Sequence, residues 1–99
     1  MSVIMVAIIS IEDETKYLEY QNSVLAMFTE LGIDVLAVDD SPKAFEGETR
    51  DQRMVVLRFA DEDAFNSWYQ SDAYEAIKPI QLGASTGELH LLQEANLKF

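Results

Sequence analysis

The segment Val3 to Ile9, VIMVAII, is apolar at every position. A run this short and this rich in β-branched residues suits a strand better than a helix. Because successive side chains of a strand point to opposite faces, a strand without a polar parity is one covered on both sides. Any fold proposed for this chain must therefore shelter two apolar faces of its first strand.

The following elements are legible from periodicity and caps. From Asp13 to Leu31, the residues Tyr17, Tyr20, Val24, Phe28 and Leu31 recur at helical spacing, with acids in the first turn and Gly32 where a left-handed stop is wanted. Ile33 to Val38 predicts a second strand, closed by the turn-forming cluster Asp39, Asp40, Ser41 and Pro42. A polar connection containing Phe45, Glu46 and Gly47 follows, long enough to suggest a role of its own. Met54 to Phe59 is a third strand, and Asp61, Glu62 and Asp63 place acceptors and negative charge at the start of a second helix carrying Phe65, Trp68 and Tyr69. Ser71 reads as a fresh N-cap for a short helix with Tyr74 and Ile77, which Pro79 is expected to end or kink. Leu89 to Leu92 supplies a fourth strand.

The order βαββαβ predicts an α+β, ferredoxin-like sandwich: a four-stranded antiparallel sheet, strands one and three central, helices on one face. The third strand sets Val55, Leu57 and Phe59 against Met54 and Val56, so it too is apolar on both sides. Helices on one face leave the other bare, and the simplest cover for such a face is the same face of a second copy. The expectation is a homodimer.

At 99 residues, 48% of them hydrophobic, the chain makes a single domain spanning residues 1–99 with a real core. Its net charge of -11, from 18 acidic residues against 7 basic, repels phosphate backbones and anionic headgroups, so nucleic acid and membrane surfaces are not expected partners. The absence of cysteine excludes disulfides, thiolate metal sites and a cysteine nucleophile. The apolar opening has no basic region before it and runs directly into Glu12, Asp13 and Glu14, which suits neither a signal peptide nor a membrane span; a cytoplasmic location is expected.

The segment Arg53 to Phe59 (RMVVLRF), the stretch Ser67 to Ile80 (SWYQSDAYEAIKPI) and the pair Glu46-Gly47 together resemble the bacterial domain of unknown function numbered 1330, within the dimeric α/β-barrel superfamily. The Trp-Tyr-x-Ser-x-x-Tyr string is the most specific part. The resemblance implies a homodimer of ferredoxin-like subunits, in a superfamily that includes cofactor-free monooxygenases, isomerases and small-molecule binders. The chain departs from that pattern in two places: Gly32-Ile33 stands where a tandem glycine is usual, and Gln81 where an arginine is common.

Two residues are candidates for proton transfer. Glu46, a carboxylate before a glycine in a loop, suits a base or acceptor at a pocket, or a turn residue capping nearby amides. His90 is the only histidine, set between Leu89 and Leu91 and able to shuttle a proton near neutral pH. For ligand binding, Trp68 and Tyr74 offer flat apolar area with polar tips, against the alternative that Trp68 fills the core and the Tyr74 hydroxyl donates to a backbone carbonyl. Tyr17 and Tyr20, three apart on one helix face, place at least one hydroxyl in the cleft between helix and sheet. Arg58, alternating with Phe59, either meets an anion or pairs with an acid across the dimer interface. No metal motif, phosphate-binding glycine loop or GxSxG is present, so no metal or cofactor is expected. These residues suggest a small dimeric protein holding a partly apolar metabolite, with cofactor-free proton transfer as its chemistry, or else a non-catalytic binding or scaffold protein that uses the sheet face for association alone.

Overall fold

The computed structural model describes residues 1–95. Its elements run β1 (Val3–Ile11), α1 (Glu14–Leu31), β2 (Asp34–Asp39), β3 (Arg53–Phe59), α2 (Glu62–Tyr69), α3 (Asp72–Ala84) and β4 (Ser85–Gln93). The strands form one antiparallel sheet in the order β2-β3-β1-β4, with the two apolar strands at the centre, as the ferredoxin-like reading requires.

Strand register sorts the side chains into two faces. Val3, Met5, Ala7 and Ile9 of β1 stand beside Phe59, Leu57, Val55 and Arg53 of β3 and beneath the helices. Ile4, Val6 and Ile8 stand beside Arg58, Val56 and Met54 on the opposite face and are only half-buried in the single chain. The alternation of buried and half-buried along β1 is unbroken from Val3 to Ile9. Packing beneath the helices centres on Phe59, Phe65 and Trp68, whose rings lie 5.2 to 5.9 Å apart in tilted and edge-to-face arrangements that add to the burial of their area.

Local chemistry fixes the helix ends. Asp13, Asp61 and Ser71 each accept from the backbone N–H three residues on, at 3.1, 2.7 and 3.1 Å. Gly32, with φ 68°, closes α1 in a Schellman arrangement in which the Ile33 N–H donates to the Phe28 carbonyl at 2.9 Å; a Cβ here would strain the left-handed backbone.

Two expectations need correction. Of the two outcomes expected of Pro79, ending or kinking the third helix, the first does not occur: the helix runs on to Ala84 with Pro79 inside it, short of the one backbone donor that proline lacks. The last strand is also longer than Leu89–Leu92, because Ser85 to Glu88 pair with Ile8 to Ile11 although their side chains lack the hydrophobicity that marks a strand. The α3–β4 junction is tied down by the Ala84 carbonyl, which accepts from the backbone N–H groups of Glu12 and Asp13 at 2.8 and 3.0 Å.

Candidate functional site

Between the helices and the covered face of the sheet lies a cavity of about 720 Å³, a size ordinary for small-molecule sites. Met5, Ala7, Ile9, Val55 and Leu57 form its floor. The small Ala7, set between the longer Met5 and Ile9, leaves the volume that a bulkier residue would fill. Val24 and Phe28 of α1 add apolar wall, and all four tyrosines of the chain together with its only tryptophan belong to the lining.

The aromatic residues form a continuous set. Tyr17 and Tyr20 lie 5.5 Å apart between centroids, Tyr20 and Tyr74 6.3 Å, and Tyr74 and Trp68 4.4 Å. The hydroxyls of Tyr20 and Tyr74 are 2.9 Å apart, and either can donate. One proton serves this bond, which leaves the other hydroxyl's proton for a second acceptor. Burial pushes the Tyr20 phenol far above its ordinary range, and the proximity of Tyr74 pushes it further in the same direction. Burial likewise raises Tyr74, against the opposing effect of the Tyr20 hydrogen bond, and raises Tyr17, against the Arg53 charge beside it. All three are protonated donors at neutral pH.

Of the candidates drawn from sequence, Tyr17, Tyr20, Trp68 and Tyr74 meet at this cavity. The Tyr74 hydroxyl bonds Tyr20 rather than a backbone carbonyl, because α1 and α3 bring the two side chains together. Trp68 is 2% exposed and its Nε1 has no hydrogen-bond partner among the described residues, so the indole serves chiefly as packing. Glu46 lies in the exposed connection before β3, beside a Phe45 that is 93% exposed, and is not part of the lining. His90 pairs in register with Val6 on the far face of the sheet, its Nε2 3.8 Å from Glu88 Oε2. Arg58 is on that far face too. Its guanidinium meets Glu94 at 3.1 Å and Asp34 at 3.9 Å within the same chain, so the expected acid is supplied without crossing an interface.

Sequence reasoning passed over Arg53. It shares the parity of Val55 and Leu57, and that alternation was the signal that could have found it. Its side chain lies beneath the helices, where the guanidinium is 5.5 Å from the Tyr17 ring centroid. Nε donates to Asp40 at 2.5 Å and Nη1 to the Gln21 side chain. Arg53, Tyr17, Gln21 and Ile9 separate the cavity from a shallower, more polar groove of about 500 Å³ that also holds Asp40 and Asp51. No group of three His, Asp or Glu side chains able to hold a metal ion occurs among the described residues, and no helix among them is long and apolar enough to cross a membrane.

Solved structures share this architecture at low identity. A protein of unknown function from Rhodopseudomonas palustris, RPA0582, superimposes with a TM-score of 0.79 at 14% identity, over 97% of this chain and 84% of that one. SnoaB, a cofactor-independent oxygenase from Streptomyces nogalater, does so with a TM-score of 0.68 at 13% identity, over 97% and 95%. Rv0793 from Mycobacterium tuberculosis gives a TM-score of 0.62 at 13% identity, over 98% of each chain. At these identities the likeness is one of fold. No curated protein matches the chain. The family model for a domain of unknown function, DUF1330, matches residues 2–95, nearly the whole sequence that forms the sheet, helices and cavity described above, and the chain belongs to that family.

Proposed function

We propose that this protein binds a small, partly apolar metabolite in the cavity between its helices and sheet, and that it does so as a homodimer joined through the opposite sheet face. The observation that carries the first half is the pairing of a large apolar space with a few convergent polar groups, above all the Tyr20–Tyr74 hydroxyl pair. A cavity kept only by loose packing would gain nothing from buried phenols at its edge, since each such group costs free energy unless it is hydrogen-bonded. The second half is supported by Ile4, Val6, Ile8, Met54 and Val56, which form an apolar patch with Leu92 that the chain's own helices do not reach.

The protonated tyrosines suit donation to a ligand oxygen, including one that gains negative charge in a proton transfer. Such cofactor-free chemistry would accord with the oxygenase that shares the fold. The positions of Glu46 and His90 favour the second reading, binding without turnover, because neither candidate base lines the cavity of its own chain. A thermal-shift screen against a metabolite library separates a ligand-binding protein from a scaffold. Binding raises the melting temperature for a subset of compounds, and that rise is lost in Ala7→Leu, which fills the floor; a library that shifts nothing contradicts the binding reading. Retention of any turnover by Glu46→Gln and His90→Ala would remove both residues from the chemistry.

A further inference from the structure

The cavity differs in charge from the chain that encloses it. Of 18 acidic residues only Glu88 belongs to the lining, whereas two of the 7 basic residues, Arg53 and Lys78, do. Glu88 stands in register with Ile8, so its carboxylate leaves on the far face of the sheet, toward His90. Among the described residues the interior thus meets two cations and no inward carboxylate, in a protein of net charge -11.

Lys78 sits at the rim, its Nζ 4.5 Å from the Tyr69 ring centroid, but Arg53 is the better placed of the two. Its side chain is only 16% exposed and is held flat by Tyr17 and Gln21, so little freedom remains to be lost on binding. Its present anionic partner, Asp40, is 71% exposed on the groove side. An ion pair so open to solvent contributes little, whereas a carboxylate approaching from the cavity meets the same guanidinium away from bulk water, where charge-assisted bonds are stronger. A guanidinium carries five N–H donors, and Asp40 and Gln21 engage Nε and Nη1.

We propose that Arg53 is the anion-recognition residue of the cavity and that the ligand is an amphipathic organic acid, with a flat apolar body among the aromatic side chains and one carboxylate at the Arg53 end. The assignment rests on the cavity reading above and adds to it the chemical class of the occupant.

Isothermal titration calorimetry with naphthalene-2-carboxylate and its neutral isostere naphthalene-2-carboxamide tests it. The carboxylate should bind at least about tenfold more tightly than the carboxamide, and Arg53→Met should erase that preference while changing carboxamide affinity by less than about twofold. Asp40→Asn, which leaves Arg53 in place and removes its competitor, should tighten the carboxylate alone; this arm holds even where Arg53→Met fails to fold. Equal affinity for the two compounds, or equal weakening of both by Arg53→Met, overturns the assignment and leaves the cavity reading standing. Silence from both compounds overturns the assignment, and the metabolite library then decides whether the cavity reading falls with it.

Discussion

The two faces of the central strands are made of the same kind of residue and meet different fates. On one, Val3, Met5, Ala7 and Ile9 vanish beneath three helices; on the other, Ile4, Val6 and Ile8 of the same strand remain half-buried, with none of the described elements above them. The covered face is not tightly filled, because Ala7 and a set of tyrosines hold open a cavity with polar tips and a half-buried arginine. The open face carries an apolar centre in Val6, Ile8, Met54 and Val56, flanked by Arg58, which stands beside Ile4 and meets Glu94 and Asp34, and by His90 and Glu88 on the edge strand β4. Apolar alternation shows that a face must be covered. Whether the cover encloses a ligand or a second subunit depends on the sizes and polar ends of the residues that meet it.

Substitutions on the two faces should break this comparison in different ways. Trp68→Ala, beneath the helices, removes the ring shared by Phe28, Phe59, Phe65 and Tyr74 and is expected to destabilise the fold by about 3–5 kcal/mol in urea denaturation. Val6→Glu, in the middle of the open face, should leave the subunit folded and weaken dimerisation by about 100-fold or more, since it would desolvate a carboxylate between copies with only the neighbouring His90 beside it; sedimentation velocity would show the lighter species. Unfolding of the subunit itself by this change would place Val6 in a core rather than an interface.

Smaller effects sharpen the contrast. Tyr20→Phe deletes one hydroxyl of the buried pair and should cost about 1 kcal/mol. It should also alter the alkaline limb of the stability curve. The phenols of Tyr17, Tyr20 and Tyr74 are held above their ordinary value of 10.0, so the unfolded chain releases its protons first. Their contribution is complete below pH 10 and is lost as pH rises beyond it; the variant should fall less steeply there in denaturation at a series of alkaline pH values. Arg58→Met, on the open side, breaks a pair in which the arginine is 41% exposed, and a loss within about 1 kcal/mol is expected in the same assay.

Much of this was legible in the sequence, and what was missed has a physical reason. Unbroken apolarity from Val3 to Ile9 and the caps at Asp13, Asp61 and Ser71 settle the element order, because strand coverage and orphan helix amides are local matters. The aromatic helix residues were found because helical spacing puts them on one face, although their meeting at the Tyr20–Tyr74 hydroxyls depends on how α1 packs beside α3. The two arginines of β3 were harder. Arg58 drew attention because it interrupts an apolar run, while Arg53 at the strand's edge looked like the end of a loop. Parity separates them: Arg53 stands with Val55 and Leu57 under the helices, and Arg58 with Met54 and Val56 on the open face. For Glu46 and His90 the residue type suggested chemistry without position, and the fold sets Glu46 in an exposed connection and His90 on the far face of the sheet, neither of them in the cavity lining.

The division of labour between the faces is tested most directly by the mass of the wild-type protein in solution. Light scattering on the size-exclusion peak at low micromolar concentration should return twice the 11.2 kDa of the chain. A stable species of 11.2 kDa, with amide exchange showing β1 and β3 no better protected than the edge strand β2, would mean that water alone covers the second face and would contradict the account.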